Sequence, residues 1–179
     1  MSTFKERYFP FKEFPQQVLG YHISRLWKER LINLNEREKE YLYGLEKLLR
    51  EKTGWNDIKI FISDYYSHKS DKVLGKLSGF SIGHYICLNN AHDIKTLRHE
   101  LGHCIQSQEL GWLYLPVIGL PSATRNVWDR YAHKTWTSNK RFWWYYNHFP
   151  EKTADKNGNV TRPWDTMDNA ALQAWLKVA

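Results

Sequence analysis

The chain has 179 residues, 42% of them hydrophobic and 25% charged, the balance of a globular domain able to bury a core of its own. No run approaches the roughly 18–20 apolar residues that span a bilayer, and residues 1–17 mix Lys5, Glu6, Arg7, Lys12 and Glu13 with aromatics where a secretory signal would be apolar, so a cytoplasmic protein is expected. The net charge of +7 is interleaved, as in Lys28-Glu29-Arg30, which reads as solvated surface and argues against a nucleic-acid partner.

Residues 1–20 carry Pro10 and Pro15 without a clear period and read as an N-terminal arm; residues 21–179 then form a single domain. Tyr21 to Leu34 is a weakly patterned helix. Asn35-Glu36-Arg37-Glu38 has the form of a capping box, and Tyr41, Leu42, Leu45, Leu48 and Leu49 follow at helical spacing until Thr53-Gly54. Ile58 to Ile62 is a short strand, Ser67 to Lys72 a polar loop, and Gly79 to Leu88 a second strand that Asn89-Asn90 ends. Asp93 can cap a helix from Ile94 to about Gln108, with Ile94, Leu97, Leu101 and Ile105 as its apolar stripe and Gly111 as its stop. Trp112 to Pro121 reads as an apolar loop that packs over a site or dips into a membrane. Pro150 opens another helix, which Asn157-Gly158 closes, and a last one runs from Asp168 to Val178.

Two features stand outside this frame. Cys87 and Cys104 are too few for a disulfide framework and read as reduced thiols, Cys104 as a small packing residue. Aromatic residues make up 16% of the chain, with nine Trp, and many fall between Trp128 and Phe149. That segment suits core packing, a substrate cleft or a membrane-facing patch.

The segment with chemistry is His99-Glu100-Leu101-Gly102-His103. Residues four apart lie one above the other on a helix, so both imidazoles can reach one ion, and Glu100 is displaced around the axis towards a water. Such a carboxylate can take the proton of an attacking water and hand it to the leaving group. Gly102 lets another element pack closely. A third ligand is required, and Glu151 is the first choice, because Asp155 shares its helical face and can accept from the far nitrogen of a ligating histidine. Ala154 is small enough to let that helix approach. Glu109 is the rival, as in zinc proteases whose third ligand follows a glycine turn, though Gln106 occupies the glycine position here. Asp129, His133 and His148 are more remote possibilities.

The H-E-x-x-H of residues 99–103 with the E-x-x-x-D of residues 151–155 resembles the gluzincin type of zinc metallopeptidase. The stretch from Gly79-Phe80-Ser81-Ile82-Gly83 through His99 to Ser107 and on to Leu120-Pro121-Ser122 also looks like a group of poorly characterised bacterial H-E-x-x-H peptidase-like domains. The likeness covers about residues 79–158. It implies an α+β fold, a small zincin-like domain whose short sheet sets an edge strand beside the motif helix, followed by a second ligand-bearing helix. It implies His99, His103 and Glu151 as ligands of one zinc ion per chain, Glu100 as general base and Asp155 as the outer partner of a ligand. No residue matches the transition-state donor of such enzymes; Tyr145, Tyr146 and His148 are candidates by proximity. The expected activity is hydrolysis of a peptide or protein substrate held along the strand edge. The alternative is a non-catalytic, zinc-stabilised binding module that meets a membrane surface or a protein partner through its Trp-rich segment.

Overall fold

The computed structural model describes residues 16–22, 35–62, 79–89 and 93–178. The lead-in before residue 16, most of the Tyr21–Leu34 helix and the Ser67–Lys72 loop lie outside them. Residues 16–22 are helical, and the Gln16 amide is buried and donates to the Gly111 carbonyl.

Helix α1, Glu36–Thr53, begins with the capping box read from the sequence: the Asn35 side chain accepts from the Glu38 N–H and the Glu38 carboxylate accepts from the Asn35 N–H. Gly54 caps its other end. Strand β1, Lys59–Ile62, follows. The expected single strand Gly79–Leu88 is instead a hairpin, β2 over Gly79–Ile82 and β3 over Tyr85–Leu88. The reversal falls at Gly83-His84, where Gly83 takes a φ of 59°, a region that costs a residue without Cβ nothing.

The three strands lie in the order β1-β3-β2, with β3 parallel to β1 and antiparallel to β2. Alternation then sorts the faces. Ile60, Ile62, Ile86 and Leu88 join Ile58, the α1 residues Leu42 and Leu49, and Leu97 and Cys104 in the main core. Phe61 and Cys87 occupy the opposite face with Phe80 and Tyr85 beside them. Ser81 pairs with Ile86, so its side chain is on the core face, towards the motif helix. Among the described residues β1 and β2 are the two edges of the sheet, and β2 is the edge beside the motif helix.

Helix α2, Ile94–Leu110, is capped by Asp93, whose side chain accepts from the Thr96 N–H. It buries two faces. Leu97 and Cys104, with Leu101 and Ile105 partly buried, meet the sheet; His99, His103 and Gln106 face the other way, Glu100 lies against β2 at Ser81, and Ile94 is exposed.

The expected apolar loop Trp112–Pro121 is helical. A 3-10 turn, Gly111–Leu113, and a π turn, Leu115–Gly119, lead into helix α3, Leu120–Ala132. Pro116 and Pro121 sit in the first residues of their turns, where a missing N–H costs little, and the wide turn bonds Leu120 N–H to the Leu115 carbonyl. Helices α4, Ser138–Tyr146, α5, Glu151–Asn157, and α6, Asn169–Leu176, complete the fold; Asp168, read as the first residue of the last helix, is instead its cap. The fold is α+β, predominantly helical with a small sheet. Among the described residues no helix is long and apolar enough to cross a membrane.

Candidate metal centre

Helices α2 and α5 approach so closely that neither tolerates a side chain at the contact. A Cβ on Gly102 would lie 1.9 Å from the Ala154 carbonyl oxygen, and one on Gly158 would lie 1.9 Å from that of Arg98. This contact lays Glu151 and Asp155 across the two histidines. Glu151 Oε2 is 3.0 Å from His99 Nε2 and 3.1 Å from His103 Nε2, and all three residues are buried.

The hydrogen bonds around the ring show what this convergence requires. His99 Nδ1 lies 2.7 Å from Asp155 Oδ1, an acceptor. His103 Nδ1 lies 2.7 Å from Gln106 Oε1, and the amide is oriented because its Nε2 donates to the Pro150 carbonyl at 3.1 Å. Each Nδ1 therefore carries its proton and donates it outward, so a neutral ring turns a bare Nε2 lone pair inward. Two such lone pairs and one carboxylate oxygen then face each other at about 3 Å, an arrangement that repels unless a cation lies between them. A proton can serve, or a metal: tetrahedral ligands at about 2.0–2.1 Å stand about 3.3–3.4 Å apart, close to the separations here. His99, His103 and Glu151 are a buried group that could hold a metal ion, their ligand atoms all within 4.8 Å of one another.

The electrostatics agree. Burial opposes charge on His99, but its hydrogen bonds to Asp155 and Glu151 prevail and lift its pKa to about 9. Burial would also raise Glu151, yet the two imidazoles, His103 foremost, hold it well below the usual carboxylate range. Asp155 is likewise depressed against its burial by His99 and Arg162. Glu100 behaves oppositely. Burial raises its pKa, and His99, His103 and the Ser81 hydroxyl offset that only in part.

Glu100 stays off the convergence point. Ser81 Oγ donates to Glu100 Oε2 at 2.9 Å, fixing the carboxylate against the edge strand. A cavity of about 630 Å³ opens over this group, bounded by β2 on one side and by α3 and α4 on the other. Tyr145 and Tyr146 both line it. The Tyr145 hydroxyl lies 3.3 Å from Ser122 Oγ, which itself donates to Glu151 Oε1. Burial raises the pKa of both phenols above the ordinary value, so each keeps its proton. The Tyr146 ring packs edge-on against His99 with centroids 5.1 Å apart.

The remaining sequence candidates fall elsewhere. Glu109 is exposed on the last turn of α2, because the helix continues through Leu110 with no bend at Gln106. His148 is not among the residues that line the cavity; its Nδ1 donates to the Trp144 carbonyl at 2.7 Å. Asp129 lines the cavity but is held by Arg141 at 2.7 and 2.9 Å and by His133 Nδ1 at 2.9 Å, a separate cluster. The aromatic segment is not a core: α4 buries no residue fully, and Phe142, Tyr145 and Tyr146 form a cavity wall.

Four helpers escaped the sequence reading. Arg162 grips both oxygens of Asp155 at 2.7 Å while its guanidinium lies 3.8 Å above the Tyr146 ring. Ser81, Gln106 and Ser122 are the others. Gln106 alone carried a local signal, being three residues beyond His103 on one helical face. No protein-family model, curated protein or solved structure matches the chain.

Proposed function

We propose that the chain is a zinc-dependent metallopeptidase of zincin-like, gluzincin-like arrangement, acting on peptide or protein substrates. The observation that carries this reading is the meeting of His99 Nε2, His103 Nε2 and Glu151 Oε2 beneath a cavity whose wall holds a separate, raised-pKa carboxylate, Glu100. His99, His103 and Glu151 would hold the ion, as two neutral imidazoles and a carboxylate suit zinc. When bound, zinc supplies Lewis-acid polarisation of a carbonyl and of water.

The rest belongs to the chain. Glu100, lifted by burial and oriented by Ser81, accepts the proton of the attacking water and returns it to the departing amine. The outer edge of β2 offers backbone donors and acceptors to an extended peptide, by strand addition. Tyr145 keeps its proton and faces the cavity beside Ser122, which suits it to donate to the developing oxyanion. Asp155, clamped by Arg162, keeps the His99 proton on Nδ1 and its lone pair inward.

The test separates binding from turnover. Glu100→Gln retains one zinc per chain and loses roughly 10²–10⁴-fold in peptide hydrolysis, the range of general-base catalysis. Undiminished hydrolysis in that variant would end the base assignment.

A further inference from the structure

From Gly111 to Ala132 the chain winds continuously through the 3-10 turn, the π turn and α3, about 30 Å at ~1.5 Å per residue. The inner side, with Tyr114, Leu115, Ser122, Ala123, Asn126 and Asp129, lines the cavity. The outer side carries Leu113, Val117, Leu120, Trp128 and Tyr131, all exposed, with Val127 exposed at the border where this side meets the cavity. At about 100° per residue these six fall within about 60° of a single line along the helix. Leu120, Trp128 and Tyr131 are 61%, 62% and 70% exposed, and what sets them apart from scattered surface apolar residues is that they share one face.

The charges of this part of the chain are mostly of one sign. Between Gly111 and Pro150 stand five basic residues, Arg125, Arg130, Lys134, Lys140 and Arg141, and a single acid, Asp129. That acid is buried and neutralised by Arg141. The Lys134 ammonium lies 5.5 Å over the Tyr131 ring, which sets a cation at the end of the stripe. An apolar helical face with Trp and Tyr among its residues and cations at its border is the pattern of a helix lying in a membrane interface.

We propose that this face seats the protein on an anionic bilayer, with Leu113, Val117 and Leu120 among the acyl chains, Trp128 and Tyr131 at headgroup level, and Arg130 and Lys134 against lipid phosphate. A second copy of this chain is disfavoured as the occupant, because it would bring the same border cations, Arg130 and Lys134, to the contact from both sides. The seating does not depend on the hydrolytic reading. It sets the opposite side of the same helix, and so the wall of the cavity, directly above the lipid surface.

The zinc-loaded full chain is mixed with vesicles of phosphatidylcholine and phosphatidylglycerol, and with vesicles of phosphatidylcholine alone, and co-sedimentation and tryptophan emission are read. The full chain is expected to sediment with the anionic vesicles, with a blue-shifted emission, and to bind neutral ones at least about tenfold more weakly. Leu120→Glu and Trp128→Glu, on exposed positions outside the metal centre, lower the anionic binding at least about tenfold while zinc content and circular dichroism stay as in the parent. Sedimentation unchanged by both substitutions overturns the proposal, as does equal binding to the two vesicle types. So does a dimer in solution that Leu120→Glu dissociates while vesicles are ignored, which assigns the face to a second copy.

Discussion

Gly102→Ala is the sharpest perturbation of the contact between α2 and α5. The added methyl carbon would lie 1.9 Å from the Ala154 carbonyl oxygen, 2.7 Å from its carbon and 3.0 Å from its Cα. All three are backbone atoms, so no flexible side chain can yield. Ordinary contact begins at 3.4 Å, so the helices must part by 1.5 Å, the difference between 3.4 and 1.9 Å. Metal–ligand lengths tolerate only about 0.2 Å. A shift several times larger withdraws Glu151 from the histidines and slackens the Asp155 bond as well. Zinc affinity is expected to fall at least ~100-fold, about 2.8 kcal/mol, with a further ~1–3 kcal/mol of fold stability lost to overpacking. Competition with a chromophoric chelator reads the first and thermal unfolding of the metal-free protein the second. Gly44→Ala is the control: that glycine lies in α1 with nothing within 4 Å of the new methyl, so it stabilises by ~0.5–1 kcal/mol and leaves zinc binding alone. If Gly102→Ala binds zinc as tightly as the parent, the close approach of the helices does not set the site, and the reasoning fails.

Asp155→Asn removes the charge that holds the His99 tautomer and should weaken zinc ~10–100-fold in the same competition assay. Because it also leaves the Arg162 guanidinium buried without its partner, the melting temperature falls too; Arg162→Met is expected to cost stability, with less effect on affinity. Zinc uptake should release protons. The His99 pKa of about 9 means the metal-free ring is charged near neutral pH, whereas the ligating ring is neutral. Calorimetry in buffers of different ionisation enthalpy is expected to show about one proton released per zinc at neutral pH. The release fades, and the pH dependence of affinity flattens, as pH rises through about 9.

What was legible in the sequence was what one helix turn can signal. The capping box at Asn35, the cap at Asp93, and the pairs His99 with His103 and Glu151 with Asp155 follow from spacings of three to four residues, while Gly102 and Ala154 were marked by their small size. The hairpin was missed because Gly83-His84 lacks the Asn-Gly signature of such turns, leaving one long apolar run. Trp112–Pro121 misled because Pro and Gly read as helix breakers, while both prolines in fact occupy first-turn positions. Arg162, beyond the end of α5, and Ser122, on α3, reach the site from outside the two ligand-bearing helices with no periodic mark. His148 was a candidate by proximity alone, and its ring turns back to the Trp144 carbonyl.

The central claim is that two imidazoles and one carboxylate, brought together by two tightly packed helices, hold a single ion. X-ray absorption at the zinc edge, on the loaded protein, tests it directly. The predicted spectrum has one zinc per chain, two imidazole nitrogens and light oxygen ligands at about 2.0–2.2 Å, with Glu151→Gln losing both the ion and the spectrum. A sulfur shell near 2.3 Å, or zinc retained in full by Glu151→Gln with the same ligand shell, would contradict it.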